Sequence, residues 1–113
     1  MIVERVIPDE FYLGANRWRV RPISGKLLTS RYGTAADKKK GRPIFGVTIF
    51  AKRLIQLRRE STPDEKYLTF LHELEHAYDA ERGVHRTEEE VDIAAALRLQ
   101  YETSATTGVK HNA

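Results

Sequence analysis

Residues 62–83 of this 113-residue chain carry a complete set of helix signals, so any fold it adopts must accommodate a long helix in its second half. Thr62 can cap the first exposed amides, Pro63 suits the first helical position, and Glu65 completes a capping box with Thr62. Tyr67, Phe70, Leu71, Leu74 and Tyr78 follow at helical spacing and form one apolar stripe. Gly83 is the natural C-cap, because glycine enters the left-handed conformation without steric cost. Thr87 opens a second capping box with Glu90, and Val91, Ala94, Ala95, Leu97 and Leu99 carry a second helix to about Glu102.

The first 60 residues read differently. Phe11-Tyr12-Leu13 and then Trp18 and Val20, around Gly14-Ala15-Asn16, predict two strands joined by a turn, with Pro22 closing the second. Leu27, Leu28 and Tyr32 predict a third short strand within Lys26–Ala36, and residues 37–43 (DKKKGRP) an exposed loop. Ile44–Phe50 and Leu54–Leu57 predict a hairpin turning near Ala51-Lys52; a helix across Lys52–Arg59 is the competing reading. The expected class is α+β, a small antiparallel N-terminal sheet packed on two C-terminal helices.

A chain of this length fits one domain, placed at residues 1–102, with residues 103–113 expected to fray as a flexible tail. No internal repeat is visible. The absence of cysteine excludes disulfides, thiolate metal sites and cysteine nucleophiles, so a transition-metal site must use His, Asp or Glu. Acids and a proline in MIVERVIPDE argue against a signal peptide, and no apolar run reaches membrane-spanning length, so the expected location is cytoplasmic. The net charge of +3 is unevenly spread: 14 Lys/Arg against 5 Asp/Glu in residues 1–60, and 5 against 11 afterwards. A basic half can face nucleic acid. Arg17, Arg19 and Arg21, however, alternate with Trp18 and Val20 as the solvated outer face of a strand does.

Chemistry concentrates in Leu71-His72-Glu73-Leu74-Glu75-His76-Ala77, which contains HExxH. Residues four apart on a helix lie one turn apart on one face. His72 and His76 can therefore bring two imidazole nitrogens to one zinc ion, at about 2.0–2.1 Å each. Glu73 lies beside that face, placed to take a proton from a zinc-activated water as general base. The bland alternative is two surface histidines on an amphipathic helix.

A third protein ligand must come from elsewhere, and His85, Glu88, Asp92 and Asp79 are the candidates. In an antiparallel helix pair linked by residues 83–87, positions summing to about 170 face one another, so His76 meets position 94. Asp92 is then the nearest acid. Glu88 lies one turn earlier on the same face and is longer, and His85 sits in the link itself. Glu89 and Glu90 read as solvated first-turn acids favoured by the helix dipole.

Taken together, the strand-rich first half, Gly46-Val47-Thr48 leading into an apolar strand, the HExxH segment, the Gly-ended helix and the Glu-Glu-Glu-Val run resemble a family. They are similar to the short zincin-like metallopeptidases of phages and prophages, loosely like the ImmA/IrrE group. The resemblance covers most of residues 10–102, with its specific part confined to HExxH and its flanks. It implies a minimal zincin-like fold and an extended peptide bound along an edge strand. The metzincin pattern is excluded, since it needs Gly at position 79 and His at position 82, where this chain has Asp79 and Arg82. Glu88 and Asp92 also spell ExxxD, in which the gluzincin Glu ligates the metal and the Asp orients a histidine. That likeness favours Glu88, whereas helix facing favours Asp92.

The expected function is therefore zinc-dependent peptide hydrolysis, with Glu73 as base and Tyr78, His85 or Tyr101 as oxyanion stabiliser; for Tyr78, core packing is the better reading. Two alternatives remain open. One is a zinc-stabilised binding module without turnover, since a structural metal helps a small core stay folded. The other is a nucleic-acid-associated protein using the basic half, although no nucleic-acid motif is present.

Overall fold

A computed structural model describes residues 6–41 and 43–106. In chain order the elements are β1 (Glu10–Leu13), β2 (Asn16–Ile23), α1 (Gly25–Tyr32), α2 (Ala35–Lys40), β3 (Gly46–Ile49), β4 (Leu54–Arg58), α3 (Pro63–Arg82) and α4 (Glu88–Thr106). A short 3₁₀ turn over Phe50–Lys52 joins β3 to β4, as the hairpin reading requires.

The α+β class and the two C-terminal helices are as expected, but the sheet is mixed. Its strand order is β1-β2-β4-β3, with β1–β2 and β3–β4 antiparallel and β2–β4 parallel. Two helical segments intervene between β2 and the second hairpin, which enters with its later strand beside β2 in the same direction. Pro22 lies inside β2 rather than closing it. Val20 donates its amide to Asp9 on the β1 side, and Pro22, two residues on, points its ring nitrogen to that side beyond the end of β1 pairing.

The third strand expected within Lys26–Ala36 is α1, and part of the expected loop is α2. Ser24 caps α1 by accepting from the Leu27 amide, and Leu28 on its inner face is fully buried. Thr34 and Asp37 form a capping box for α2, which ends at the left-handed Gly41. Capping overrode a strand reading based only on three apolar residues. The second long helix also runs past its expected end near Glu102. Helix α4 runs to Thr106, because no glycine or proline interrupts it after Glu102 until Gly108; residues 107–113 lie outside the described residues.

The core lies between the sheet and the two long helices. Trp18, Val20, Ile55 and Leu57 meet Phe70, Leu71, Ala77 and Ala95. Phe11 stacks on Trp18 at 6.2 Å and meets the Phe70 ring edge-on at 6.1 Å. The indole N–H of Trp18 donates to Glu81 at 3.2 Å, so its one polar atom is satisfied as the ring is buried. Arg17, Arg19 and Arg21 are exposed, as their alternation with Trp18 and Val20 predicts. No described helix is long and apolar enough to cross a membrane.

Gly46 sets how closely β3 approaches α3. A Cβ there would stand 2.6 Å from Thr69 Cγ2 and 3.3 Å from Glu73 Cγ. Gly46→Ala is therefore expected to destabilise the protein by about 1–3 kcal/mol through overpacking. Adding Thr69→Ala removes the obstructing methyl and should restore much of the loss in chemical denaturation. A Gly46→Ala protein as stable as wild type would show that β3 moves freely from α3.

Candidate metal centre

Helix α3 carries both histidines because its signals are intact at each end. Thr62 accepts from Glu65 N at 3.3 Å while Glu65 accepts from Thr62 N at 2.9 Å, and Gly83 closes the helix at φ 67°. One turn apart, His72 and His76 place their Nε2 atoms 3.1 Å from each other. Glu88, the first residue of α4, spans the pair: its Oε2 lies 3.0 Å from His72 Nε2 and its Oε1 3.0 Å from His76 Nε2. Asp92, one turn further, lies 2.6 Å from His72 Nδ1.

Glu73 faces the sheet side of the same opening and is buried. Thr48 of β3 donates its hydroxyl to Glu73 Oε1 at 2.8 Å, and the Thr48 hydroxyl oxygen also lies 3.1 Å from the backbone carbonyl oxygen of Glu73. Burial pushes the Glu73 carboxyl above its ordinary value, partly offset by the Thr48 hydrogen bond and by the two histidines. A cavity of about 320 Å³ joins these groups, lined by Gly46, Val47, Thr48, Phe50, His72, Glu73, His76 and Glu88. Beyond His76 it adjoins a second cavity of about 480 Å³, lined in part by Phe50, Ala80, Val84 and His85.

The donor set can be tested for a cation from its own hydrogen-bond chemistry. With Nδ1–H of His72 directed at Asp92, a neutral His72 presents a lone pair at Nε2. That lone pair faces the His76 nitrogen and a carboxylate oxygen, both at hydrogen-bond distance. A cation seated between His72, His76 and Glu88 would satisfy that lone pair and the carboxylate together, a place otherwise served by the Nε2–H of a neutral His76 or by an imidazolium proton. Ligand atoms of a tetrahedral zinc at about 2.0–2.1 Å stand roughly 3.3 Å apart. The two nitrogens stand 3.1 Å apart, each 3.0 Å from a different oxygen of Glu88, and the three side chains offer one ligand atom each within 4.8 Å of one another. The donor types, two imidazoles and a carboxylate, suit a zinc ion.

The other candidates sit elsewhere. Asp79 is buried and bound by Arg86 and Arg82. Its burial penalty is outweighed by those two guanidinium groups, so its carboxyl stays below the ordinary range. His85 is exposed and lines the adjoining cavity with His76 and Glu88. Tyr78 is half-buried with the Arg98 guanidinium 5.3 Å above its ring, and Tyr101 is exposed far along α4. Glu90 caps Thr87, and Glu89 is exposed.

Set beside family models, curated proteins and solved structures, the chain matches none of them significantly. Sequence reasoning gave no role to Thr48 or to the arginines beneath the site. A threonine two residues from Gly46 on an inward-facing strand position was a usable signal for the first. For the arginines, the four-residue link 84–87 offered only the presence of Arg86.

Proposed function

We propose that this protein is a zinc-dependent peptidase, with His72, His76 and Glu88 as metal ligands and Glu73 as general base. The observation that carries the reading is the buried Glu73 carboxylate opening onto the same cavity as the clustered side chains of His72, His76 and Glu88. A purely structural metal site has no use for such a base. Zinc, when bound, supplies Lewis acidity toward a substrate carbonyl and makes a neighbouring water more acidic.

The chain's own residues supply the rest. Glu73 accepts a proton from water as the water oxygen bonds to the carbonyl carbon. It returns that proton to the departing amine as the C–N bond breaks. Thr48 holds one Glu73 oxygen, leaving the other free for this exchange. Asp92 fixes the His72 ring through Nδ1, so that Nε2 faces Glu88 and His76. A peptide substrate is favoured because β3, the terminal strand of the sheet, runs along the cavity through Gly46, Val47 and Thr48. An extended segment can add to such an edge by main-chain hydrogen bonds. The short zincin-like family is consistent with this assignment.

The test is metal content. Protein purified after growth with supplemental zinc should carry about one zinc per chain by elemental analysis, released by a chelator and restored on dialysis against zinc. A wild-type protein that takes up no zinc under these conditions contradicts the proposal.

A further inference from the structure

Beneath the candidate centre lies a second group of charges that takes no part in the chemistry above. Glu75 and Asp79 are both buried on α3, the first inside HExxH and the second one turn later. Arg86, in the link between the helices, reaches both. Its Nε stands 2.9 Å from Asp79 Oδ1 and 3.1 Å from Oδ2, and a terminal nitrogen stands 2.9 Å from Glu75 Oε1. The second Glu75 oxygen is taken by Arg98 of α4, at 2.6 and 3.0 Å. Arg82 also touches Asp79, at 3.1 Å, but belongs to α3 itself and is largely exposed.

From these contacts we infer that Arg86 is a positioning residue for the His72–His76–Glu88 group, an inference that rests on the metal reading above. Only four residues separate Gly83 from the start of α4, and Glu88 is two residues past Arg86. Val84 donates to the Asp79 carbonyl at 3.0 Å, and Thr87 caps α4, so the link is short and tied at both ends. Within it, the bridge from Arg86 to two carboxylates sets the register of the first turn of α4 against α3. That register decides whether Glu88 reaches both imidazoles. A buried charge cluster is weak evidence for stability, since apolar replacements of similar volume often serve as well. What it supplies is fixed geometry, because a planar guanidinium holds two acids in one arrangement. A lysine offers a point charge that satisfies them less directionally.

The experiment compares Arg86→Lys with Arg82→Ala in the full chain, by zinc competition titration and by the visible absorption of the cobalt(II)-loaded protein. Arg86→Lys should keep the wild-type circular dichroism, weaken zinc binding by about 10–100-fold and alter the cobalt spectrum, as loss of a residue supporting the ligands does. Arg82→Ala removes a charge from the same Asp79 without touching α4, and should change zinc affinity by less than about 3-fold. If Arg86→Lys does not fold, Asp79→Asn takes its place, with the same expected loss. An Arg86 variant with wild-type affinity and spectrum overturns the inference while leaving the metal reading intact. Equal weakening in both arginine variants also overturns it, since charge alone would then explain the effect. Wild-type protein that binds neither metal overturns both.

Discussion

Glu73→Gln is expected to lower peptide hydrolysis by about 10²–10⁴-fold while zinc content stays near that of wild type. The amide retains the shape of the carboxyl, and its oxygen can still accept from the Thr48 hydroxyl, which lies 2.8 Å from Glu73 Oε1. It cannot take a proton from water. Stability should not suffer, because a neutral amide costs less than a carboxylate to hold at a position as buried as this one. The measurement is cleavage of a broad peptide library by wild type and variant, alongside elemental analysis and thermal melting. Hydrolysis surviving undiminished in the variant points to another base or a contaminating protease. Loss of zinc would mean that Glu73 supports the metal directly. No hydrolysis by zinc-loaded wild type would favour the binding-module alternative, in which the metal stabilises the fold and nothing turns over.

What was legible in the sequence followed local rules. Thr62, Pro63, Glu65 and Gly83 mark α3 because each acts on backbone groups within a few residues of itself. The pairing of His72 with His76 is equally local, a consequence of helical periodicity. The sheet was less legible. Strand direction depends on how the chain returns from α1 and α2, and nothing in β2 or β4 alone encodes parallel pairing. Ser24 and Thr34 show the cost of weighing apolar residues before caps: both begin helices where a strand and a loop were expected. The buried acids Glu75 and Asp79 were hidden for another reason. Acids on a helix are ordinarily solvated, and only the tertiary return of Arg86 and Arg98 makes burial tolerable.

The third-ligand question shows both kinds of reasoning at work on one pair of residues. Facing positions in a regular helix pair assign Asp92 to His76, yet Asp92 meets the Nδ1 of His72 and Glu88 spans the two Nε2 atoms. The facing rule describes where backbones lie, whereas Glu88 begins α4 and has a longer side chain that reaches back across the opening. Glu88→Ala is therefore expected to weaken zinc binding by more than about 100-fold, approaching the complete loss expected of His72→Ala or His76→Ala, because a three-ligand zinc site loses one of its ligands. Asp92→Ala should cost about 10–100-fold, the usual effect of removing a group that orients a liganding imidazole. Glu89→Ala, exposed on the same turn, should be nearly neutral. Competition titration against a chelator of known affinity orders the five variants in one experiment. Asp92→Ala losing more than Glu88→Ala would reverse the two roles, with Asp92 on the metal and Glu88 supporting it. A His85→Ala protein that alone released the metal, with both acids neutral, would move the third ligand into the link between the helices.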